Sequence, residues 1–258
     1  MINIGIDPVA FLNVRWYGIF VALAIVTLVL WMVWQVKKGA KLSYDTILTG
    51  ALVGIPSGVI ISRLLHVIDA WGYYSQHPGQ IIGAAGLTIW GAILGAALGI
   101  WIYSKFSKQQ FGYIADLVAP GLILAQVVGR IGCTINGCCY GKETSLPWAI
   151  VYTHPNSLGP IGVPVHPTTV YEIIFLLVIF GVILGLRGRL KPDGSLFIAY
   201  LALYSAWRLG SDFLRDGTPF LFGLHQAQVI GIIVLAITIF LLSYRTRWGR
   251  VQEKVQES

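Results

Sequence analysis

The chain has 258 residues, 56% of them hydrophobic and 11% charged, with a mean hydropathy of +0.73 and a formal net charge of +7. That mix excludes an ordinary soluble domain and points to a polytopic membrane protein. No polar segment is long enough for a separate soluble module, so residues 1–258 are expected to form a single integral membrane domain.

Residues 1–13 lack the basic start of a cleavable signal and are predicted to lie along the outer membrane surface. Apolar runs able to cross a bilayer follow at about 16–36, 46–67, 81–103, 114–128, 168–186, 195–211 and 226–244. They predict an all-α fold of seven transmembrane helices. The fourth and sixth are short for a straight span and are expected to be extended by polar residues that face inward. Gly50, Gly54 and Gly58 in the second run, and Gly91, Gly95 and Gly99 in the third, put small residues on one helix face and predict close helix packing.

Charge gives the orientation, because cytoplasmic loops are rich in Lys and Arg. Lys37, Lys38, Lys41, Lys105, Lys108, Arg187, Arg189, Lys191, Arg245, Arg247, Arg250 and Lys254 follow the odd-numbered runs, and they are 12 of the 18 basic residues. The N-terminus is therefore expected outside and the C-terminus in the cytoplasm, which places the longest polar connection, about 129–167, outside. The loop bias and attraction to anionic membrane lipids account for the net charge. Nucleic-acid binding is not expected, since no basic tract is interleaved with exposed aromatics.

Arg15, Arg63, Arg130, Lys142, Arg208 and Arg215 break the rule and need another explanation. Arg130 directly follows an apolar run. A guanidinium stays charged and is costly near hydrocarbon, so it should meet a partner or an anionic ligand. Beside it, Gly137 and Gly141 allow the backbone to turn and approach a ligand, and Asn136 adds hydrogen-bonding capacity. Snorkelling to the interface or bonding to loop carbonyls is the plainer alternative. Tyr204, Arg208, Asp212 and Arg215 recur at spacings of four, four and three on one helix face. An Arg208–Asp212 intrahelical ion pair would explain only part of that set. Arg63, with His66 three residues on, forms another cationic face. Converging arginines suit an anionic lipid headgroup.

Cys133, Cys138 and Cys139 share the outer connection with His154 and His166. Paired Cys-x2-Cys spacing is absent, so a structural zinc is not expected, and no metal is assigned. A disulfide joining Cys133 to Cys138 or Cys139, with one thiol left over, is compatible with an outer location.

Gly129-Arg130-Ile131-Gly132, Asn136-Gly137 and Gly141 together resemble the signature of the bacterial prolipoprotein diacylglyceryl transferase family. Arg15-Trp16-Tyr17-Gly18, Ser62-Arg63, the stretch from Gly86 to Gly95, His166-Pro167-Thr168 with Tyr171-Glu172, and Tyr204 through Arg215 resemble further family segments in the same order. The resemblance implies a multi-pass enzyme of the bacterial cytoplasmic membrane that moves the diacylglyceryl group of phosphatidylglycerol to the lipobox cysteine of a preprolipoprotein. A thioether forms and sn-glycerol 1-phosphate leaves. It further implies no cofactor and a monomer. Arg130, Arg208, Tyr204 and Tyr17 are the catalytic candidates, and Arg63, Asn136, Gly137, Gly141, His166, Asp212 and Arg215 the substrate-binding ones. Four positions depart from the pattern: Trp90 stands where family members can have histidine, Cys133 and Cys138 replace polar residues, and Asp212 replaces a glutamate. With Trp90 in place, the proton acceptor is open among Tyr17, Tyr204, His166 and the phosphate, with Tyr204 favoured. A lipid transporter would show repeat symmetry, which is not found, and a thiol oxidoreductase would need the cysteines directly.

Overall fold

A computed structural model describes residues 1–12, 14–82, 89–107, 109–215, 221 and 223–248. Lys108, Arg250 and Lys254 of the charge argument, and Gly86 of the family match, lie outside the described residues.

The protein is mostly helical: α1 (Trp16–Lys37), α2 (Tyr44–Asp69), the single turn α3 (Trp71–Tyr74), α4 (Ile89–Phe106), α5 (Phe111–Asn136), α6 (Thr168–Leu186), α7 (Ser195–Ser211) and α8 (Gln226–Arg245). Among the described residues, five helices are long and apolar enough to cross a membrane, and Gly91–Phe106 forms a shorter apolar helix. The molecule is thus a polytopic membrane protein.

The all-α expectation needs correction. Strand β1 (Ile2–Ile4) lies parallel to β4 (Ile150–Tyr152), and β4 pairs antiparallel with β5 (Pro164–Val165). Two further ribbons join β2 (Val9–Phe11) to β3 (Val14–Arg15), and β6 (Leu190–Lys191) to β7 (Arg247–Trp248). Residues 2–4 are therefore one strand of a small sheet with the connection between α5 and α6. The strands are short, and β1–β4 and β6–β7 are specified by pairing between stretches distant in sequence.

The second correction concerns α5, which does not stop at residue 128. It runs to Asn136, carrying Arg130 and Cys133 in its last two turns. Hydropathy falls there because Arg130, Thr134 and Asn136 face other protein groups, each of which satisfies them: Glu172, Thr169 and Arg15, at 2.9, 2.8 and 3.0 Å. A helix can remain regular where its polar side chains have partners inside the protein.

The chain forms two compact units, residues 1–31 with 115–258, and residues 32–114. In the first, Ala119 and Ile123 of α5 pack with Leu176, Ile179 and Ile183 of α6 and Leu196 of α7, all buried. The Trp31 indole N–H donates to the Leu117 carbonyl at 2.9 Å, anchoring α1 on α5. Asp116 accepts from the Gly194 and Phe197 amides at 2.8 and 2.9 Å, satisfying otherwise orphaned donors at the start of α7.

In the second unit Ser43 caps α2, accepting from Thr46 N–H at 3.1 Å, and α2 lies along α4. The glycine ladder of α4 makes that approach possible. A Cβ on Gly95 would meet the Ser57 carbonyl and would lie 2.7 Å from Ile61 Cβ. On α2, Gly54 and Gly58 face α4, whereas a Cβ on Gly50 would meet nothing within 4 Å. Gly95→Leu should therefore overpack this contact and cost about 1–3 kcal/mol or more. The thermal midpoint of the purified protein in detergent is expected to fall for Gly95→Leu and to stay near the parent value for Gly50→Leu.

Candidate active site

The site candidates of the first unit gather around a carboxylate that sequence reasoning did not assign a role. Glu172 sits one turn into α6, 1% exposed. Its Oε1 accepts from Arg130 Nη2 at 2.9 Å and from the Tyr204 hydroxyl at 3.0 Å, while Oε2 accepts from Arg215 Nη2 at 3.2 Å. Three elements are tied together by one anion: α5 through Arg130, α7 through Tyr204, and the turn after α7 through Arg215. A lone ionisable residue in an otherwise apolar run was the available signal.

Arg208 is held by a second carboxylate. Its Nη2 lies 3.1 Å from Asp212 Oδ1, one turn along the chain, and Asp212 Oδ2 is 2.7 Å from His225 Nδ1. His225 also caps α8 through a reciprocal bond with Gln228, so Asp212 couples Arg208 to the start of the last helix. Arg208 and Asp212 are four residues apart, so helical spacing brings them together, and Ser195–Ser211 then gives way to a 3-10 turn at Asp212–Leu214. Arg215 then leaves the helix with extended backbone.

Three guanidinium groups and two buried carboxylates leave one excess positive charge in this cluster, the amount that a phosphodiester would balance. Arg208 Nη1 and Arg215 Nε are buried donors with no acceptor among the described residues. Buried charged donors without acceptors are costly, so the cluster is suited to an incoming anion. Burial, followed by the neighbouring Arg208 charge, lowers the pKa of Arg215. An arginine nevertheless stays protonated throughout the accessible range.

The remaining candidates divide into two groups. Tyr17 opens α1, close enough to Arg130 and the three cysteines to feel their charge, and α1 is seated on α5 at Gly132, where a Cβ would lie 2.6 Å from Phe20 Cβ. Asn136 is 4% exposed and accepts from Arg15 Nη1 at 3.0 Å, which commits its carboxamide oxygen to the protein. Gly137 has φ +75° and a Cβ there would strike Ser157 Oγ; a Cβ on Gly141 would lie 2.6 Å from the Leu214 carbonyl oxygen. Both glycines thus let loop segments meet, and the space beside each is filled by the protein itself. His166 belongs to the same join: its carbonyl accepts from Gly141 N–H at 2.9 Å, and Nδ1 lies 3.5 Å from the Tyr171 hydroxyl. These four residues shape the loop around the arginines. Arg63 belongs to the other unit, where its Nε donates to the Ile81 carbonyl at 2.9 Å and its guanidinium lies 5.1 Å from the Tyr74 ring centre.

The cysteines are all free, so the disulfide that their spacing would permit is not formed. Their sulfurs lie within 4.8 Å of one another although the spacing in sequence is not a paired one. The Cys139 thiol, in the loop, is shifted down by hydrogen bonds with Cys133 and Cys138 and by the Arg130 and Arg215 charges.

Apolar helices that bring buried arginines and carboxylates together, with guanidinium donors that lack an acceptor among the described residues, are the features of an integral membrane protein whose polar groups are suited to an anionic group. A family model described as prolipoprotein diacylglyceryl transferase matches residues 6–244, and the chain belongs to that family. A phosphatidylglycerol-prolipoprotein diacylglyceryl transferase of Dehalococcoides mccartyi is 50% identical over 258 residues, 98% of this chain and 99% of that protein. The enzyme of the same name from Clostridioides difficile is 36% identical over 88% of this chain and 90% of its own length. One from Bacillus licheniformis is 34% identical over 98% and 97%.

Removing the central anion should leave Arg130 and Arg215 facing each other uncompensated. Breaking a buried ion pair from one side costs about 3–5 kcal/mol. Glu172→Gln is therefore expected to lower the thermal midpoint in detergent markedly, whereas Asp193→Asn, at an exposed pair with Lys191, should leave it within error.

Proposed function

We propose that this chain is a phosphatidylglycerol-prolipoprotein diacylglyceryl transferase of the bacterial cytoplasmic membrane, the enzyme that begins lipoprotein maturation. It transfers the diacylglyceryl group of phosphatidylglycerol to the lipobox cysteine thiol of a preprolipoprotein and releases sn-glycerol 1-phosphate. The observation that carries this reading is the arginine cluster with one unbalanced charge and two guanidinium donors, Arg208 Nη1 and Arg215 Nε, that have no acceptor among the described residues.

The substrate sulfur attacks the glyceryl carbon bonded to the phosphate oxygen, and the carbon–oxygen bond breaks with its electron pair on that oxygen. Arg130, Arg208 and Arg215 face the phosphate, and their hydrogen bonds strengthen as the leaving group gains charge. Glu172 and Asp212 keep the guanidinium groups in position, so little reorganisation accompanies the step. The Tyr204 hydroxyl donates a hydrogen bond to Glu172 Oε1. A phenolate beside that carboxylate would be repelled, so Tyr204 is a positioning group for Arg130 and Glu172 rather than the acceptor of the thiol proton. Tyr17 borders the site from α1. Asn136, Gly137, Gly141 and His166 hold the loop that walls it, and Arg63 offers a lipid-headgroup contact on its own unit.

The chain acts as one domain and a monomer, with seven membrane crossings, α4 and α7 supplementing the five longer helices. The N-terminus lies outside and the C-terminus in the cytoplasm, which brings the ends of α5 and α7, and with them the arginines, to the outer face. Nucleic acid is not a partner.

Purified protein, labelled phosphatidylglycerol and a lipobox peptide should yield a labelled thioether, and the same peptide with serine in place of cysteine should yield none. Arg130→Ala and Arg208→Ala are each expected to reduce the rate about 100-fold or more, as loss of a donor to developing charge does. Arg130→Lys should recover little, because an ammonium cannot reproduce the planar fork. Full activity in Arg130→Ala would overturn the phosphate clamp.

A further inference from the structure

The reading above leaves two things without a role: the three cysteines, and whatever takes the proton from the substrate thiol. The structure places one beside the other. Cys133 is buried in the last turn of α5, and Cys138 and the exposed Cys139 follow in the turn, which is closed by Cys138 N–H donating to the Cys133 carbonyl at 3.2 Å. All three sulfurs lie within 4.8 Å of one another. Arg130 Nη1 is 3.8 Å from Cys133 Sγ, so the sulfur cluster borders the phosphate clamp.

The backbone that gathers the sulfurs is held at a cost. Cys139 has φ +62°, in the left-handed region that favours glycine or asparagine. A non-glycine residue there costs of order 1–3 kcal/mol and persists only when its surroundings impose it. The Thr168 hydroxyl donates to the Cys139 carbonyl at 2.6 Å and fixes this conformation, which brings the third sulfur to the other two.

We propose that Cys133, Cys138 and Cys139 bind a zinc ion through three thiolates, and that its fourth position, on the exposed Cys139 side, accepts the lipobox cysteine of the incoming preprolipoprotein. Thiolates select soft or borderline metals over calcium and magnesium, and three protein ligands with one open position are the arrangement of a reactive zinc site. With Zn–S bonds of about 2.3 Å, tetrahedral ligand sulfurs stand about 3.8 Å apart, a separation the present cluster can reach by small side-chain rotations. Three thiolates and one Zn²⁺ carry a net charge of −1, which the Arg130 guanidinium faces.

This proposal rests on the transferase reading and supplies its missing step. On coordination the substrate thiol gives its proton to water, so no side-chain base is required. The zinc-bound sulfur then attacks the glyceryl carbon. A sulfur–carbon bond forms, the carbon–oxygen bond breaks, and its electron pair leaves on the phosphate oxygen held by Arg130, Arg208 and Arg215. The thioether is neutral and a weaker zinc ligand than the thiolate, which favours product release.

The test uses the full-length protein in detergent. Elemental analysis after dialysis should find one zinc per chain in the parent and in Arg130→Ala, and less than a tenth of that in Cys133→Ser and Cys139→Ser. With Co²⁺ in place of zinc, the thiolate-to-metal charge-transfer absorption should rise when a cysteine lipobox peptide is added and not when the serine peptide is added. That measurement needs no variant and is unaffected by misfolding of one. Chelator treatment should slow thioether formation at least 10-fold, with recovery on adding Zn²⁺. An active enzyme without bound metal, a disulfide within the cluster of the active enzyme, or a cobalt spectrum blind to the cysteine peptide would overturn the zinc proposal while leaving the transferase intact. Zinc bound and thiol recognised, with no thioether formed from phosphatidylglycerol, would instead overturn the transferase reading.

Discussion

The arrangement of this protein depends on a single buried carboxylate. Glu172 accepts from Arg130, Arg215 and Tyr204 through its two oxygens. Without it, two guanidinium groups would repel in an environment that screens charge poorly. Its position on α6, in contact with α5 and α7, makes the same interaction a structural tie and an electrostatic one. It neutralises only part of the positive charge, and the part left over is what an anionic substrate can use.

The layers around that carboxylate follow from the need to satisfy polar groups away from water. Arg208 is supported by Asp212, and Asp212 by His225 at the start of α8. Arg15 reaches Asn136 and the Asn156 carbonyl, at 3.0 and 3.4 Å, joining the beginning of the chain to the end of α5 and the loop that follows it. The strand pairing of residues 2–4 with 150–152 closes the same region from another side. Apart from the local Arg208–Asp212 pair, these supports come from separate elements of the chain, which gives the arginines little freedom and suits groups that meet charge without rearranging.

Much of this was legible beforehand, for identifiable reasons. Apolar runs located α1, α2, α6, α7 and α8 to within a few residues, because lipid-facing helices must be continuous in hydropathy. The spacing of Tyr204, Arg208 and Asp212 sets them along one helix face, since a helix repeats every three to four residues, whereas Arg215, assigned to the same face, follows a 3-10 turn with extended backbone. The end of α5 was misjudged because hydropathy reports contact with lipid, and Arg130, Thr134 and Asn136 contact protein. Glu172 was seen within a family segment but was given no role; its partners come from two other stretches of chain. Gly137 and Gly141 were read as making room for a ligand, where the nearest atoms belong to the protein's own loop.

Composition and charge by themselves determined a membrane-embedded chain, its helical runs and an unusual set of cations outside the loop bias, because these are properties of residues taken one at a time or at a fixed local period. That Glu172 holds both Arg130 and Arg215, which donors lack an acceptor among the described residues, and how three unevenly spaced cysteines bring their sulfurs within 4.8 Å were decided only by the tertiary structure. Those are relations between distant segments, and packing rather than local preference sets them.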